Sequence, residues 1–254
     1  LSSNLPLEAV SVILDANQVS TNNQGDFEFS VIEGDYTLTA SKQGYASTSI
    51  ENLSITALQE TVQDIHLQQL CSLLDENVNA FSSIADAVSA GWSHGRNTGS
   101  DDWNVDMNQG INNSHSFNTA DVGSLTDKFL ISPPILLTSQ SSLEFWHKYV
   151  FEEGQSFYDG AVLEISTNSG SSWQDLGNYI LTGQYNATLS SGNALGARTG
   201  WGGSNPAYSK VEVDLSAFAG QNAQIRWRFG ADSNVGAGDW NIDDIKILDP
   251  SVCE

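Results

Sequence analysis

Tyr158-Asp159-Gly160-Ala161-Val162-Leu163-Glu164-Ile165-Ser166-Thr167-Asn168-Ser169-Gly170-Ser171-Ser172-Trp173 joins an acidic turn, an alternating segment and a second turn that ends on tryptophan. In an extended chain Val162, Glu164 and Ser166 face one way and Leu163, Ile165 and Thr167 the other, which is the two-residue period of a strand. Asn168-Ser169-Gly170 supplies residue types that accept positive φ in a tight connection. The stretch therefore predicts a hairpin of a β-sandwich rather than a catalytic loop. It directs the functional reading toward binding or scaffolding.

The chain has 254 residues, which suits two domains of unequal size. Its 31 acidic and 9 basic residues give a net charge of −22, which repels phosphate backbones and anionic lipid and favours cations. No nucleic acid and no membrane surface is expected as a partner. Charged residues are only 16% of the chain, so the surface is expected to be rich in Ser, Thr, Asn, Gln and Gly, a composition common in secreted bacterial modules. No apolar run reaches the roughly 18 residues of a spanning helix. No basic-then-apolar leader opens the chain, and the start at Leu1 is expected to be a cut in a longer protein. Cys71 and Cys253 stand at the two ends of the larger segment, where sandwich termini often approach one another, and are expected to form a disulfide. The alternative is two unpaired thiols, one beside the chain end. A disulfide would imply an oxidising compartment.

Between Ala9 and Leu67 short alternating runs are separated by turn residues, without helical periodicity. Strands are expected at Val10 to Leu14, Phe27 to Val31, Tyr36 to Ser41, Thr48 to Leu53 and Thr61 to Leu67. Pro6-Leu7-Glu8-Ala9-Val10-Ser11-Val12, Gln24-Gly25-Asp26-Phe27-Glu28-Phe29 and Gly34-Asp35-Tyr36-Thr37-Leu38-Thr39-Ala40-Ser41-Lys42-Gln43-Gly44-Tyr45 resemble the carboxypeptidase-regulatory-like, prealbumin-type domain. Members of that family usually begin one strand earlier, a strand here absent or reduced to Leu1 to Asn4. In Leu70 to Ala90, Leu70, Leu73, Leu74, Val78 and Phe81 recur at near-helical spacing, which suggests one short helix or a turn-rich linker.

All seven tryptophans follow, at 92, 103, 146, 173, 201, 227 and 240, and burying several of them could anchor a core. Gly91-Trp92-Ser93-His94-Gly95, Asp102-Trp103 and Thr126-Asp127-Lys128-Phe129-Leu130-Ile131-Ser132-Pro133-Pro134-Ile135 open a pattern that continues to Gly238-Asp239-Trp240-Asn241-Ile242-Asp243-Asp244-Ile245. From about Ala90 to Leu248 this pattern resembles the MAM-like jelly-roll accessory domain of secreted metallopeptidases of the immune-inhibitor-A and fungalysin types. The same look extends to adhesin modules and receptor-type MAM domains, so the fold does not fix the function. Within the pattern, Trp146 and Trp227 are expected in the core, His147 and Lys148 as polar positions on the opposite face, and Arg226 and Arg228 paired with acids.

The four histidines, at 66, 94, 115 and 147, form no zinc-binding motif, and neither Gly-x-Ser-x-Gly nor a phosphate-binding Gly-Lys-Thr/Ser ending occurs. No catalytic residue is expected on this chain. Adjacent acids such as Glu152-Glu153 would point to opposite strand faces and could not act as a pair. Calcium is a better use for the loop carboxylates, because a hard cation takes six to eight oxygens. Asp101, Asp102, Asp159, Asp239, Asp243 and Asp244 are the candidate ligands, and Asp232-Ser233-Asn234 is a further acidic cluster. The jelly-roll resemblance implies structural calcium near the chain ends and maps it onto Asp243 and Asp244. The alternative is that these acids cap turns and face solvent. Tyr185, Arg198, Trp201 and Tyr208, in the loop region Asn178 to Tyr208, are the candidate ligand-binding residues; for Arg198 and Trp201 the competing reading is packing.

The expectation is an all-β, secreted, monomeric chain: a prealbumin-like β-sandwich over 1–68 and a larger MAM-like jelly-roll β-sandwich over 69–254. The leading function is a non-catalytic accessory region of a larger secreted peptidase, with the parent catalytic domain and protein or polysaccharide substrate as partners. The alternative is an extracellular adhesion or carbohydrate-binding module.

Overall fold

The computed structural model describes residues 5–42, 44–45, 47–100 and 102–253. The expected Leu1 to Asn4 remnant and the candidate ligand Asp101 lie outside the described residues. The chain is all-β and divides into two compact units, Leu1–Cys71 with Pro250–Glu254, and Ser72–Asp249.

In the first unit, β1 (Ser11–Leu14), β2 (Asn17–Ser20), β3 (Gly34–Ser41) and β4 (Thr48–Ile55) form an antiparallel sheet in the order β2-β1-β3-β4. Val10, Val12, Leu14, Leu38 and Ala40 are its buried centre. The β1–β2 connection passes through Asp15, whose φ of 49° is left-handed, and the Asp15 carboxylate accepts the Thr37 backbone N–H at 2.9 Å. That tight link was not foreseen, since neither Asp15 nor Ala16 is a glycine. The strands expected at Phe27 to Val31 and Thr61 to Leu67 are absent. Their alternation is nonetheless physical: Phe27, Phe29, Val31, Ile65 and Leu67 pack against the core from extended segments without joining a ladder. A disulfide joins Cys71 to Cys253, across 182 positions of sequence and with Cα atoms 5.3 Å apart.

The second unit, from Ser72 on, holds all but the first residue of β5 (Cys71–Glu76), then α1 (Ile84–Ser89), β6 (Ser93–Thr98), β7 (Asn104–Asp106), β8 (Ser116–Ala120), β9 (Thr126–Ile131) and β10 (Ile135–Leu136). It continues with β11 (Ser142–Val150), β12 (Gly160–Ser166), β13 (Gln174–Asp175), β14 (Ile180–Thr182) and β15 (Ala187–Thr188). Its last strands are β16 (Thr199–Gly202), β17 (Ser204–Asp214), β18 (Asn222–Ala231) and β19 (Asp239–Asp249). One sheet runs β15-β16-β12-β18-β9-β6 and the other β14-β17-β11-β19-β8-β7. Leu70, Leu73 and Leu74, whose spacing suggested a helix, belong to the approach to β5 and to β5 itself, which pairs with β19; the helix lies later, at α1.

The two sheets share one aromatic core. Phe145 of β11 meets Trp227 of β18 at 5.6 Å between ring centroids, and Trp92, Trp103, Trp201 and Trp240 are also buried. Each such ring removes roughly 150–250 Å² from water, a gross gain of about 4–6 kcal/mol. The hairpin read from the sequence is present: Glu164 pairs with Asp175 and Ile165 with Gln174, and Ser169 and Gly170 have φ of 56° and 81°. β12 is central and every residue in it is buried, so its alternation separates the core from a second covered face rather than from solvent.

On β11 the inward face is Leu143, Phe145, His147 and Tyr149, which corrects the expected assignment. Trp146 lies on the outer face, half-buried, and His147 is in the core, its ring 5.5 Å from Phe145, 5.1 Å from Tyr149 and 4.8 Å from Trp201. Burial lowers the His147 pKa to about 3. On the outer face of β18, Arg226 and Arg228 pair with acids as expected. The Glu164 carboxylate accepts from Arg226, Arg228 and Arg198, and Asp127 accepts from Arg228 at 2.6 Å.

Candidate functional site

Strand ends from both sheets meet at one end of the second unit. Asp121 follows β8, Glu152 lies two residues beyond β11, Asp159 precedes β12 and Asp232 follows β18. Carboxylate oxygens of Glu152, Asp159 and Asp232 all lie within 4.8 Å of one another. Asp121 belongs to the same group: its Oδ2 accepts the Glu152 and Ala237 backbone N–H groups at 3.0 and 3.2 Å, and its carboxyl faces that of Asp159. Asp159 Oδ1 accepts the Asp232 N–H at 2.8 Å, and Asp232 Oδ1 accepts the Asn234 N–H at 2.8 Å.

The backbone is built for this convergence. Asp121 donates its N–H to the Gly238 carbonyl at 2.7 Å, and a Cβ on Gly236 would stand 2.3 Å from the Asp121 carbonyl oxygen. A Cβ on Gly123 would stand 2.2 Å from the Asn234 carbonyl, so only glycines let the 121–124 and 232–238 segments approach so closely. Asn193 braces the other side, donating to the carbonyls of Tyr158 and Gly230 at 2.9 and 2.7 Å.

The electrostatics are unbalanced. Burial raises the pKa values of Asp121, Glu152 and Asp159; the facing Asp121 carboxyl adds to the rise at Asp159, and the Asp232 and Asp121 charges to that at Glu152. Asp121 Oδ1, Glu152 Oε2 and Asp159 Oδ2 are buried without a hydrogen-bond partner. Among the described residues these are the only carboxylate oxygens in that condition.

Of the residues expected to hold metal, Asp159 stands in this group and the other described ones do not. Asp102 accepts Thr119 Oγ1 at 2.7 Å and the ammonium of the buried Lys128 at 2.5 Å, and so serves as a counter-ion. Asp239 is exposed at the start of β19. Asp243 is buried and already supplied with donors, from Ile111 N–H at 2.8 Å, Ser114 Oγ at 3.2 Å and the Asp244 N–H at 2.7 Å. Asp244 sits at a bulge with φ of 47°, where the register of β19 against β11 shifts. Asp121 carries no local mark and Glu152 stands out in the sequence only as the neighbour of Glu153; each follows a strand, and only the sheet topology reveals that those strands end together.

The expected ligand-binding set is dispersed as well. Trp201 is 2% exposed and its Nε1 donates to the Gly183 carbonyl at 2.9 Å, so the packing reading applies. Arg198 bridges Glu164 and Asp175. Tyr208 donates to the Gln109 carbonyl at 2.9 Å, away from the acidic group. Tyr185 is fixed at its hydroxyl, which accepts the Leu163 N–H at 2.8 Å, and its ring packs edge-on with Trp201 at 4.8 Å; the residue borders a shallow, open groove of about 550 Å³. Gln155, Ser156, Phe157, Asn186, Ala187, Thr188 and Thr199 complete that groove. The segment between Glu152 and Asp159 thus forms one of its walls.

Residues 2–68 match the family model described as the Carboxypeptidase regulatory-like domain. Comparison with curated protein sequences gives no match. Among solved structures, the chain is similar to the Endo-D glycoside hydrolase domain from Streptococcus pneumoniae R6, with 16% identity over 64% of this chain and 22% of that one, at a TM-score of 0.39. It is also similar to the K3 cleaved adhesin domain of Lys-gingipain from Porphyromonas gingivalis, with 17% identity, 70% of this chain, 98% of that one and a TM-score of 0.43. A third similar structure is the CBM22-1 xylan-binding domain from Paenibacillus barcinonensis, with 11% identity, 70% and 93% coverage and a TM-score of 0.40. The chain spans 22% of the length of the first of these.

Proposed function

We propose that this chain is a non-catalytic binding region of a larger secreted protein, and that its ligand is a neutral polysaccharide held in the groove beside β15 and β16. The observation that carries this reading is the character of the groove wall. In a chain with 31 acids and 9 bases, none of the eight lining residues is charged. Gln155, Asn186, Ser156, Thr188 and Thr199 bring amide and hydroxyl groups suited to sugar hydroxyls, and Phe157 brings an aromatic side chain. The disulfide fits an oxidising, extracellular setting. We assign no catalytic residue.

Affinity electrophoresis of the whole chain in gels containing neutral polysaccharides tests this. Retardation that is lost in Phe157→Ala and Gln155→Ala supports it; free migration in every neutral polysaccharide refutes it. The accessory reading, in which a MAM-like second unit positions protein substrate for a parent peptidase, draws on the family match over residues 2–68. It gains if denatured protein, rather than polysaccharide, retards the chain with the same dependence on Phe157.

A further inference from the structure

We infer that Asp121, Glu152, Asp159 and Asp232 form a calcium site that fastens the two sheets of the second unit to each other. Four carboxylates from four separate strand ends converge, and oxygens of Glu152, Asp159 and Asp232 lie within 4.8 Å of one another. Asp159 is 0% and Asp121 7% exposed, and each aims a buried oxygen without a hydrogen-bond partner into the group, as does Glu152. The remaining oxygens are not idle. Backbone N–H groups of Glu152, Ala237, Asp232 and Asn234 engage Asp121 Oδ2, Asp159 Oδ1 and Asp232 Oδ1, which leaves one oxygen of Asp121 and one of Asp159 turned inward. Such an arrangement orients acceptors toward a common point, where the Asp121 and Asp159 carboxyls face each other and no N–H group reaches the inward oxygens. Lys128 donates to Asp102 and the Ala120 carbonyl, and its charge also acts on Asp121.

The donor set selects the ion. It holds only carboxylate oxygen, with neither imidazole nor thiolate, which favours a hard cation over zinc or copper. The ligands come from loops and strand ends rather than one short rigid motif, which suits the irregular, high-coordination shell of calcium more than the strict octahedron of magnesium. The bound ion would cross-link β8 and β11 of one sheet with β12 and β18 of the other, and hold both ends of the 152–159 segment. Any effect on the groove rests on the ligand reading given above; the cation site does not.

The test is thermal unfolding of the whole chain in chelator and in calcium chloride, for the wild type and for Asp159→Asn and Asp239→Asn. A cation that binds only the folded state raises the melting temperature, so the wild type should gain about 5 °C or more, saturably. Asp159→Asn removes one of the facing carboxylates, so it should melt no lower than the wild type in chelator and gain little or nothing from calcium. Asp239→Asn, at an exposed acid outside the group, should gain as the wild type does. No calcium-dependent rise in the wild type overturns the proposal. So does an equal rise in Asp159→Asn, which would place the ion elsewhere on this acidic chain.

Discussion

His147 makes the protonation of one core side chain visible in the stability of the second unit. Its ring is 2% exposed and sits among Phe145, Tyr149, Trp201 and Trp240, with Trp240 Nε1 directed at His147 Nδ1 over 3.4 Å. Burial depresses its pKa to about 3 from an unfolded value near 6.5. The sign follows from which state takes the proton. Above about pH 6.5 the imidazole is neutral in both states and pH has no effect through this residue. As pH falls below that, the unfolded chain binds a proton that the folded chain refuses until about pH 3, so the fold loses stability across that window. Between about pH 7 and pH 5 the loss is about 2 kcal/mol. His147→Phe keeps a ring of similar size and removes the titration. Urea unfolding followed by tryptophan fluorescence reports the second unit, because all seven tryptophans lie in it. The gap between variant and wild type should move by about 2 kcal/mol in favour of the variant on going from about pH 7 to pH 5. Asp121, Glu152 and Asp159 also titrate, with the opposite sign, but are common to both proteins and cancel in the difference. A gap that stays constant within about 0.5 kcal/mol would refute a neutral, buried His147.

Two further outcomes are expected. Glu164→Gln leaves Arg198, Arg226 and Arg228 facing an amide in place of a buried carboxylate, and should cost about 3–5 kcal/mol in urea unfolding; a loss under about 1 kcal/mol would show that the cluster relaxes. Replacing both Cys71 and Cys253 by alanine opens a covalent loop of 182 positions, worth about 5 kcal/mol of unfolded-state entropy, so the double variant should melt lower and lose the sensitivity of the wild type to reductant.

What could be read from the sequence was what is local. The two-residue period of Val162 to Ser166 and the Asn-Ser-Gly turn depend on neighbours along one strand or hairpin, whereas the pairing of Arg226 and Arg228 with acids follows from the excess of acids over bases, their partners Glu164 and Asp127 standing far along the chain on β12 and β9. On β11 the sequence shows the period but not its phase, since tryptophan is the more apolar of Trp146 and His147 yet takes the outer face. The core takes His147 because the apolar set Leu143, Phe145 and Tyr149 occupies the same parity, and one residue cannot turn against three. In the first unit, alternation at Phe27 to Val31 correctly marks side chains that face the core, yet hydrophobic period reports burial and not hydrogen bonding, and the segment has no ladder partner. The acidic group was the least legible. Asp121 and Asp232 are separated by most of the second unit, and only the order of strands in the two sheets brings them to one place.

The acids differ in a property that sequence does not carry, namely which carboxylates already have partners. A fold with 31 acids and 9 bases has few cations to distribute, so most buried carboxylates must find backbone or hydroxyl donors. Asp243 does so through Ile111, Ser114 and Asp244, Asp249 through Thr138 and Ser141, and Asp102 takes a lysine. Glu164 and Asp127 receive arginines. Each of these was as acidic as Asp159 in the sequence, and Asp243 was the stronger candidate by resemblance. Donors close those sites; at Asp121, Glu152 and Asp159 inward oxygens still lack them. In so acidic a chain, a carboxylate-rich motif carries little information, and the donor count around each oxygen decides where a cation can bind.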